Sequence, residues 1–364
     1  MIIYFLIFII PIFFYFLSLR DGNRFKLFFY YFYSIFLVIF IGFRYKVGGD
    51  WDNYLQYYER MDRDGAGFIF ASGRSYGFAV INWIASELRW GVLGVNVLCG
   101  GIFVSGLIYF CRQQPSPWLA WLIATPYLIY VVGMGYTRQS VAIGIIMYGL
   151  VFLSNKNIWG FICSVLIAAI FHNSAIILLI LLLVFINQEV LKKLIYGIRR
   201  PFNAPRQSLV VLATSVLLIV FVFGNLDNFS ALIRYYIVGD QWASSGATVR
   251  VMMNAAAGAM LLLFSKFWYR VYGSLKIWGL ISILAIISTP FVFLASTPVD
   301  RLSLYLIPLQ IYVFSRVHLI IVDPILRGTV IMGVVTVYGL ALWIWLNHAS
   351  HAYMWVPYRS YLFS

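Results

Sequence analysis

Residues 27–58 read LFFYYFYSIFLVIFIGFRYKVGGDWDNYLQYY, a stretch that changes character in its middle. The first half, Leu27–Ile41, carries no charged side chain and predicts a helix that crosses a membrane. Four charged residues then follow among aromatic residues and a glycine pair: Arg44, Lys46, Asp50 and Asp52. An apolar chain has little reason to collect charge at the end of a span. The stretch therefore indicates a polar site at one membrane face.

The composition supports a membrane protein. The 364 residues are 63% hydrophobic and only 10% charged, whereas soluble domains carry about 25% charged residues. No soluble architecture hides so much apolar surface, so the sequence predicts an all-α polytopic membrane protein. The net charge of +14 is consistent with basic cytoplasmic loops and leaves room for an anionic ligand.

The apolar runs predict a single integral membrane domain over residues 1–364, with about twelve (eleven to fourteen) transmembrane helices. The runs long enough to cross are 2–18, 25–43, 91–111, 117–134, 137–153, 157–171, 173–187, 208–224, 251–267, 275–295, 301–321 and 326–346. The amphipathic stretch Ser75–Leu88 is too short to count among them. It predicts an interfacial or re-entrant helix.

Lysine and arginine in the loops predict the orientation. Segment 188–208 holds five basic residues against one acid, so it is expected to be cytoplasmic, together with Arg112 and Arg327. Two outer loops result, 44–90, which contains the short helix, and 225–250. The glycine, serine and threonine content of the second loop suggests a mobile lid. Outer-face loops are thus expected to form the site.

Arg138 and His172 interrupt the apolar pattern where two runs meet. Arg138 lies in MGYTRQSVAIGI, where a charge is costly unless it has a partner. An anion at the N-terminus of the following helix would meet free N–H groups and a guanidinium. His172 lies in AAIFHNSAII and is either a structural residue or a proton carrier. Arg44 is either an interfacial arginine reaching headgroups or a ligand-binding group.

Further candidates lie on the same predicted side. Arg250 and Arg301 add outer cations, although Asp300 precedes Arg301 directly and could simply compensate its charge. The candidate glycan-binding aromatic residues are Tyr45, Trp51, Tyr54, Tyr136, Tyr305 and Tyr358. Aromatic belts at membrane interfaces are the alternative explanation. The sequence contains no nucleotide-binding or zinc pattern, so neither a metal, a cofactor nor nucleic acid is expected.

Five segments resemble the EpsG-like family of polysaccharide polymerases, the Wzy-type enzymes of O-antigen, capsule and exopolysaccharide assembly. They are GFRYKVGGDWDNYLQYY, YTRQSVAIGI, FHNSAII, DRLSLY and WVPYRS. The resemblance implies a GT-C-like glycosyltransferase in the bacterial inner membrane with its active site facing the periplasm. It implies undecaprenyl-diphosphate-linked glycans as donor and acceptor, and it suggests a chain-length co-polymerase as partner.

The chemistry of such a transfer suggests roles for the candidates. Arg44, Arg138 and a later arginine, Arg250 or Arg301, would neutralise the departing diphosphate without a metal. His172 or Asp50 would accept the proton of the attacking hydroxyl. Other functions remain open at this point: an O-antigen ligase, another outer-face transferase such as an acyltransferase, or a transporter of lipid-linked oligosaccharides.

Overall fold

The computed structural model describes residues 1–19, 24–71, 75–185, 246–273 and 275–363. Throughout these ranges the regular structure is helical, joined by one isolated antiparallel bridge between Arg44 and Ser360. The prediction of an all-helical fold is therefore confirmed for the described residues. The basic loop 188–208, the apolar run 208–224 and all but the last residues of the loop 225–250 lie outside the described residues.

The first half of the described chain forms nine α-helices, and two of its apolar runs, 117–134 and 173–187, also contain other helix types. The α-helices are α1 Ile2–Ser18, α2 Arg24–Gly42, α3 Trp51–Asp64, α4 Gly67–Ala71, α5 Tyr76–Glu87, α6 Gly91–Arg112, α7 Pro117–Ala124, α8 Thr137–Ser154 and α9 Ile158–Phe171. A π-helix, Thr125–Gly133, continues α7, and a 3-10 helix, Asn173–Phe185, follows α9. Helix α5 fills most of the stretch expected to be interfacial.

The second half consists of shorter and more broken helices. They are α10 Ala247–Leu263, α11 Ser265–Tyr272, α12 Lys276–Leu294, α13 Ser296–Ser303, α14 Pro308–Phe314 and α15 Pro324–His348. Short 3-10 turns, Leu304–Leu306, Val317–Ile320 and Ala352–Met354, flank α14 and follow α15. The predicted span 301–321 is thus several short helical pieces instead of one continuous helix.

Four helices in the described ranges are long and apolar enough to cross a membrane: α6, α8, α12 and α15. The number rises to six if two bent pairs count as one span each, the pair α10 with α11, bent by 76°, and the pair Ser296–Leu306 with Pro308–Ile320, bent by 46°. Shorter apolar helices occupy other expected runs. The protein is a polytopic membrane protein, and twelve crossings remain a prediction.

Glycines let α6 and α8 pack in direct backbone contact. A Cβ atom added to Gly106 would lie 1.9 Å from the carbonyl oxygen of Gly144, and one added to Gly144 would lie 2.7 Å from Cα of Phe103. Small residues allow such close approach, which gains dispersion contacts inside a membrane. The packing fixes α8 against α6, so the first turn of α8 has a defined position.

The long helices give the bundle two ends. One end holds the end of α2, the beginnings of α6 and α8, and the end of α15; we call it the cluster end. The opposite end holds Ser18, Arg112 and Pro324 and is called the distal end. The Tyr4 hydroxyl, near the start of α1, donates to the carbonyl of Trp355 beyond α15. This bond confirms that α1 and α15 meet at the cluster end.

Candidate active site

The segment after α2 is held by a segment from the other end of the sequence. The Tyr45 N–H donates to the carbonyl of Arg359, and the Tyr361 N–H donates to that of Phe43, both at 2.9 Å. The Gly48 N–H donates to the Met354 carbonyl, also at 2.9 Å. These bonds set the position of the charged residues that follow the first apolar run.

Gly48 brings this segment against the break before α8. Its φ is +111°, a backbone conformation that side chains rarely adopt, and a Cβ there would lie 2.3 Å from the Met134 carbonyl oxygen. Only glycine fits both constraints. A Cβ on Gly135 would in turn lie 2.5 Å from the Trp355 ring. Three distant parts of the sequence therefore meet just before α8.

Arg44 is buried beneath the start of α8. Its side chain is 1% exposed and donates to the Ile41 carbonyl at 2.6 Å and to Thr137 Oγ1 at 2.9 Å. Burial lowers the pKa of the guanidinium to about 10, which still leaves it charged at neutral pH. Its Nε has no partner among the described residues. Arg44 therefore joins α2 to α8 and presents almost no surface to a ligand.

Arg138 lies in the first turn of α8 and is partly exposed. Its guanidinium carbon is 5.8 Å from the ring centre of Tyr54 and 5.9 Å from that of Phe78, distances typical of cation–π contacts. Among the described residues it forms no ion pair with a carboxylate. The helix begins at Thr137 without a side-chain cap. The guanidinium thus contacts two aromatic rings and bonds the Tyr54 side chain, and no described carboxylate neutralises its charge.

Arg301, in α13, is the next arginine of the candidate site. Its side chain is exposed, and within the described ranges it has no carboxylate ion-pair partner. Its carbonyl accepts a hydrogen bond from Gln139 Nε2 at 2.6 Å, which ties α13 to α8. Asp50 and His172 each interact electrostatically with both Arg138 and Arg301. We call these four residues the polar cluster: Asp50, Arg138, His172 and Arg301.

The two titratable groups of the polar cluster have shifted pKa values. Burial raises the pKa of the Asp50 carboxyl, an effect opposed by Arg301, by a hydrogen bond from Asn53 and by Arg138. Burial, together with the positive charges of Arg301 and Arg138, lowers the pKa of His172 to about 4. The imidazole is therefore neutral at neutral pH and is able to accept a proton.

Hydrogen bonds orient the His172 ring. Its Nδ1 lies 2.6 Å from Ser174 Oγ and 3.2 Å from the Tyr305 hydroxyl, and Ser174 donates to Tyr305 at 3.4 Å. In the tautomer in which Nδ1 carries the proton and donates to Ser174, Nε2 carries the lone pair. Nε2 has no partner among the described residues. That tautomer leaves Nε2 able to accept a proton.

Arg250 has an acidic partner of its own. Its Nε donates to Asp300 Oδ1 at 2.7 Å, a second nitrogen bonds Oδ2, and the guanidinium lies 5.2 Å from the Tyr127 ring centre. The pairing left open by sequence, Asp300 with its neighbour Arg301, is therefore not the one formed. Asp300 compensates Arg250, 50 residues away, and Arg301 points elsewhere.

The aromatic candidates divide by exposure. Trp51, Tyr54 and Tyr305 are buried, at 7%, 7% and 2% exposed, so their rings fill space beneath the polar cluster. Tyr45 and Tyr136 are partly exposed. Tyr358 stacks on Phe40 with ring centres 4.5 Å apart and donates its hydroxyl to the Phe40 carbonyl. Glycan binding stays a prediction for all six, and the partly exposed rings of Tyr45 and Tyr136 suit it best.

Sequence reasoning missed the amides that position the cluster. Gln139 donates to the carbonyl of Arg301. A buried chain of amides lies behind α13: Asn254 donates to the Ser303 carbonyl, Gln310 donates to Asn254, and Tyr338 donates to Gln310. Single amides inside apolar runs are costly without partners, and that signal could have identified them.

These features together define a polytopic membrane protein with a partly buried polar site at one end of its helices. A family model, described as the EpsG family, matches residues 27–360. The chain belongs to the EpsG family, as its motifs predicted, and this family indicates a glycosyltransferase-like polysaccharide polymerase. No curated protein and no solved structure matches the chain significantly.

Proposed function

We propose that this chain polymerises oligosaccharide repeat units carried on undecaprenyl diphosphate. The polar cluster is the reaction centre and faces the periplasm from the bacterial inner membrane, in a GT-C-like arrangement with about twelve crossings. The observation that carries the proposal is the pair Arg138 and Arg301. Neither guanidinium forms an ion pair with a carboxylate in the described ranges, and both act on the same histidine and the same carboxylate.

The reaction is a displacement at the anomeric carbon of the donor sugar. An acceptor hydroxyl forms the new glycosidic bond while the bond from that carbon to the diphosphate oxygen breaks, and the diphosphate leaves with its electron pair. Arg138 and Arg301 stabilise the negative charge that develops on the leaving diphosphate. Preorganised cations stabilise such a charge strongly when little water is present. The hydroxyl proton passes to His172 Nε2 or to the Asp50 carboxylate.

The remaining candidates support this reaction from the periphery. Arg44 positions the first turn of α8 and therefore Arg138. Tyr45 and Tyr136 offer partly exposed rings for stacking on the glycan. The arginines supply the charge that a metal would otherwise supply, so polymerisation is expected to continue in the presence of a chelator. A chain-length co-polymerase is the expected protein partner.

A ladder assay tests the proposal directly. We expect the purified protein, reconstituted in vesicles with lipid-linked repeat units, to produce glycans that differ by one repeat unit, with or without EDTA. Gel electrophoresis of the released glycans gives the result. Movement of the substrate across the bilayer without new glycosidic bonds would identify a transporter. Transfer to lipid A core at unchanged glycan length would identify a ligase, and acetylation at unchanged length an acyltransferase.

The pH dependence of the ladder reaction reports on the base. We expect kcat/KM to fall only when the pH decreases towards about 4, since this parameter follows the free enzyme and burial holds the His172 pKa near 4. The acid limb of kcat should lie at higher pH. A bound diphosphate offsets the charges of Arg301 and Arg138, which lower that pKa in the free enzyme. Initial rates between pH 4 and 8 measure the acid limb of kcat/KM and the acid limb of kcat.

Two variants decide which group accepts the proton. His172→Gln should remove the acid limb and reduce kcat by about 10²-fold or more, whereas Asp50→Asn should leave the limb in place. If the limb persists in His172→Gln and disappears in Asp50→Asn, the carboxylate is the base and the histidine only a structural support. If both variants turn over at the rate of the unaltered chain, neither side chain removes the proton.

A further inference from the structure

A large cavity lies at the distal end of the bundle, away from the polar cluster. It encloses about 1200 Å³. Its walls come from the end of α1, the beginning of α2, the loop after α6 and the beginning of α15. Much of the wall is apolar, as with Phe16, Leu19 and Ile331. The volume and the apolar walls suit one end of an amphiphile better than a small polar solute.

Two arginines line this cavity, and neither forms an ion pair with a carboxylate in the described ranges. Arg112, at the end of α6, donates to the Tyr31 hydroxyl and lies 5.6 Å from its ring centre. Arg327, in the first turns of α15, donates to the Ile321 carbonyl from Nε at 3.1 Å and from a terminal nitrogen at 2.8 Å. The cavity thus carries positive charge that no described acid compensates.

A buried histidine adds a polar side chain to the wall of this cavity. His318 is 3% exposed and lines the same cavity. Its Nε2 lies 3.2 Å from Ser116 Oγ, whereas its Nδ1 has no hydrogen-bond partner among the described residues. His318 is therefore a neighbour of the two arginines in the cavity wall, and its buried Nδ1 is enclosed by protein.

We propose that the distal cavity binds an anionic glycerophospholipid, with the phosphate between Arg112 and Arg327 and the start of an acyl chain along the apolar wall. Charge complementarity favours this occupant, because arginine binds phosphate through paired N–H donors. The site lies where the helices of a membrane protein end, which is the depth at which lipid headgroups meet the protein. This lipid site is separate from the glycan-transferring site at the cluster end.

Lipid titration of the purified full chain tests the proposal. The two probes are dioleoylphosphatidylglycerol and dioleoylphosphatidylcholine, which share acyl chains and differ in net charge. Native mass spectrometry in detergent counts bound lipid. We expect one phosphatidylglycerol to bind at least about tenfold more tightly than phosphatidylcholine, and Arg112→Gln combined with Arg327→Gln to abolish this preference. Arg270→Gln is the matched control, because Arg270 is exposed and does not line the cavity.

A second variant tests the apolar part of the site without changing charge. Gly328 lines the cavity, and a Cβ added there meets nothing within 4 Å. Gly328→Phe is therefore expected to fill the cavity, to keep the protein monodisperse and to displace the lipid. Equal binding of both lipids, or unchanged phosphatidylglycerol binding by Gly328→Phe, would overturn the proposal. Displacement of the lipid by inorganic phosphate at equal concentration would also overturn it, by showing that the chains contribute nothing.

Discussion

Replacing Arg138 or Arg301 with glutamine is expected to slow chain growth by about 10²–10³-fold, the usual effect of removing one preorganised donor from a charge-stabilising site. Each variant removes a guanidinium that acts on both Asp50 and His172. The double variant should lose about 10⁴-fold or more if the two charges act independently. The measurement is the initial rate of the reconstituted ladder reaction at saturating lipid-linked donor.

Two comparisons separate lost chemistry from lost folding. Arg60→Gln removes an exposed arginine from α3, the helix that carries Tyr54, and should leave the rate unchanged. Arg138→Lys keeps the charge but not the planar fork of donors, so its rate should lie between those of the unaltered chain and Arg138→Gln. Full activity of both single glutamine variants at normal protein levels would refute the role of the two arginines.

Removal of the Asp300 carboxylate is expected to destabilise the protein by about 3–5 kcal/mol, because it removes the negative charge that compensates the buried Arg250 guanidinium. The pair has side-chain exposures of 16% and 7%. Unfolding of Asp300→Ala in mixed micelles with increasing dodecyl sulfate gives the free-energy difference. The exposed pair of Arg63 and Asp64, at 71% and 51%, supplies the matched control: Asp64→Ala should change stability by about 0–1 kcal/mol.

The double variant Arg250→Met with Asp300→Leu distinguishes the cause of this loss. Apolar replacement of both partners is often neutral for a buried pair, so the double variant should regain most of the stability that Asp300→Ala loses. In the ladder assay the double variant should keep more activity than Arg138→Gln or Arg301→Gln. A double variant as unstable as Asp300→Ala would show that the destabilisation comes from lost local contacts and not from an uncompensated charge.

The helices of this protein follow closely from its sequence. The run 91–111 became Gly91–Arg112, the run 137–153 became Thr137–Ser154, and the short stretch 75–88 became Tyr76–Glu87. The reason is physical: in a membrane the backbone must satisfy its own hydrogen bonds, so an uninterrupted apolar run becomes a helix of that length. The broken span 301–321 is the exception, because its breaks accompany tertiary bonds such as the one from Asn254 to the Ser303 carbonyl.

The partners of the site residues did not follow from the sequence. Arg138 and His172 were recognisable because each interrupts an apolar pattern at a junction. Asp300 pairs with Arg250 instead of its neighbour Arg301. Thr137 accepts a bond from Arg44. Both contacts depend on how helices far apart in sequence are placed. These pairings are determined by packing between helices, and the hydrophobic periodicity of a single segment does not encode that packing.

The pairing of residues 43–48 with residues 354–361 has a consequence for biogenesis. The segment that carries Arg44 is among the first to leave the ribosome, and the segment that holds it is made much later; Tyr358 and its acceptor Phe40 are 318 positions apart. The helices can insert one after another during translation. The segment that carries Arg44 and leads to Asp50 is held in place only after residue 361 has been made, so we expect a shorter nascent chain to insert its helices without polymerising activity.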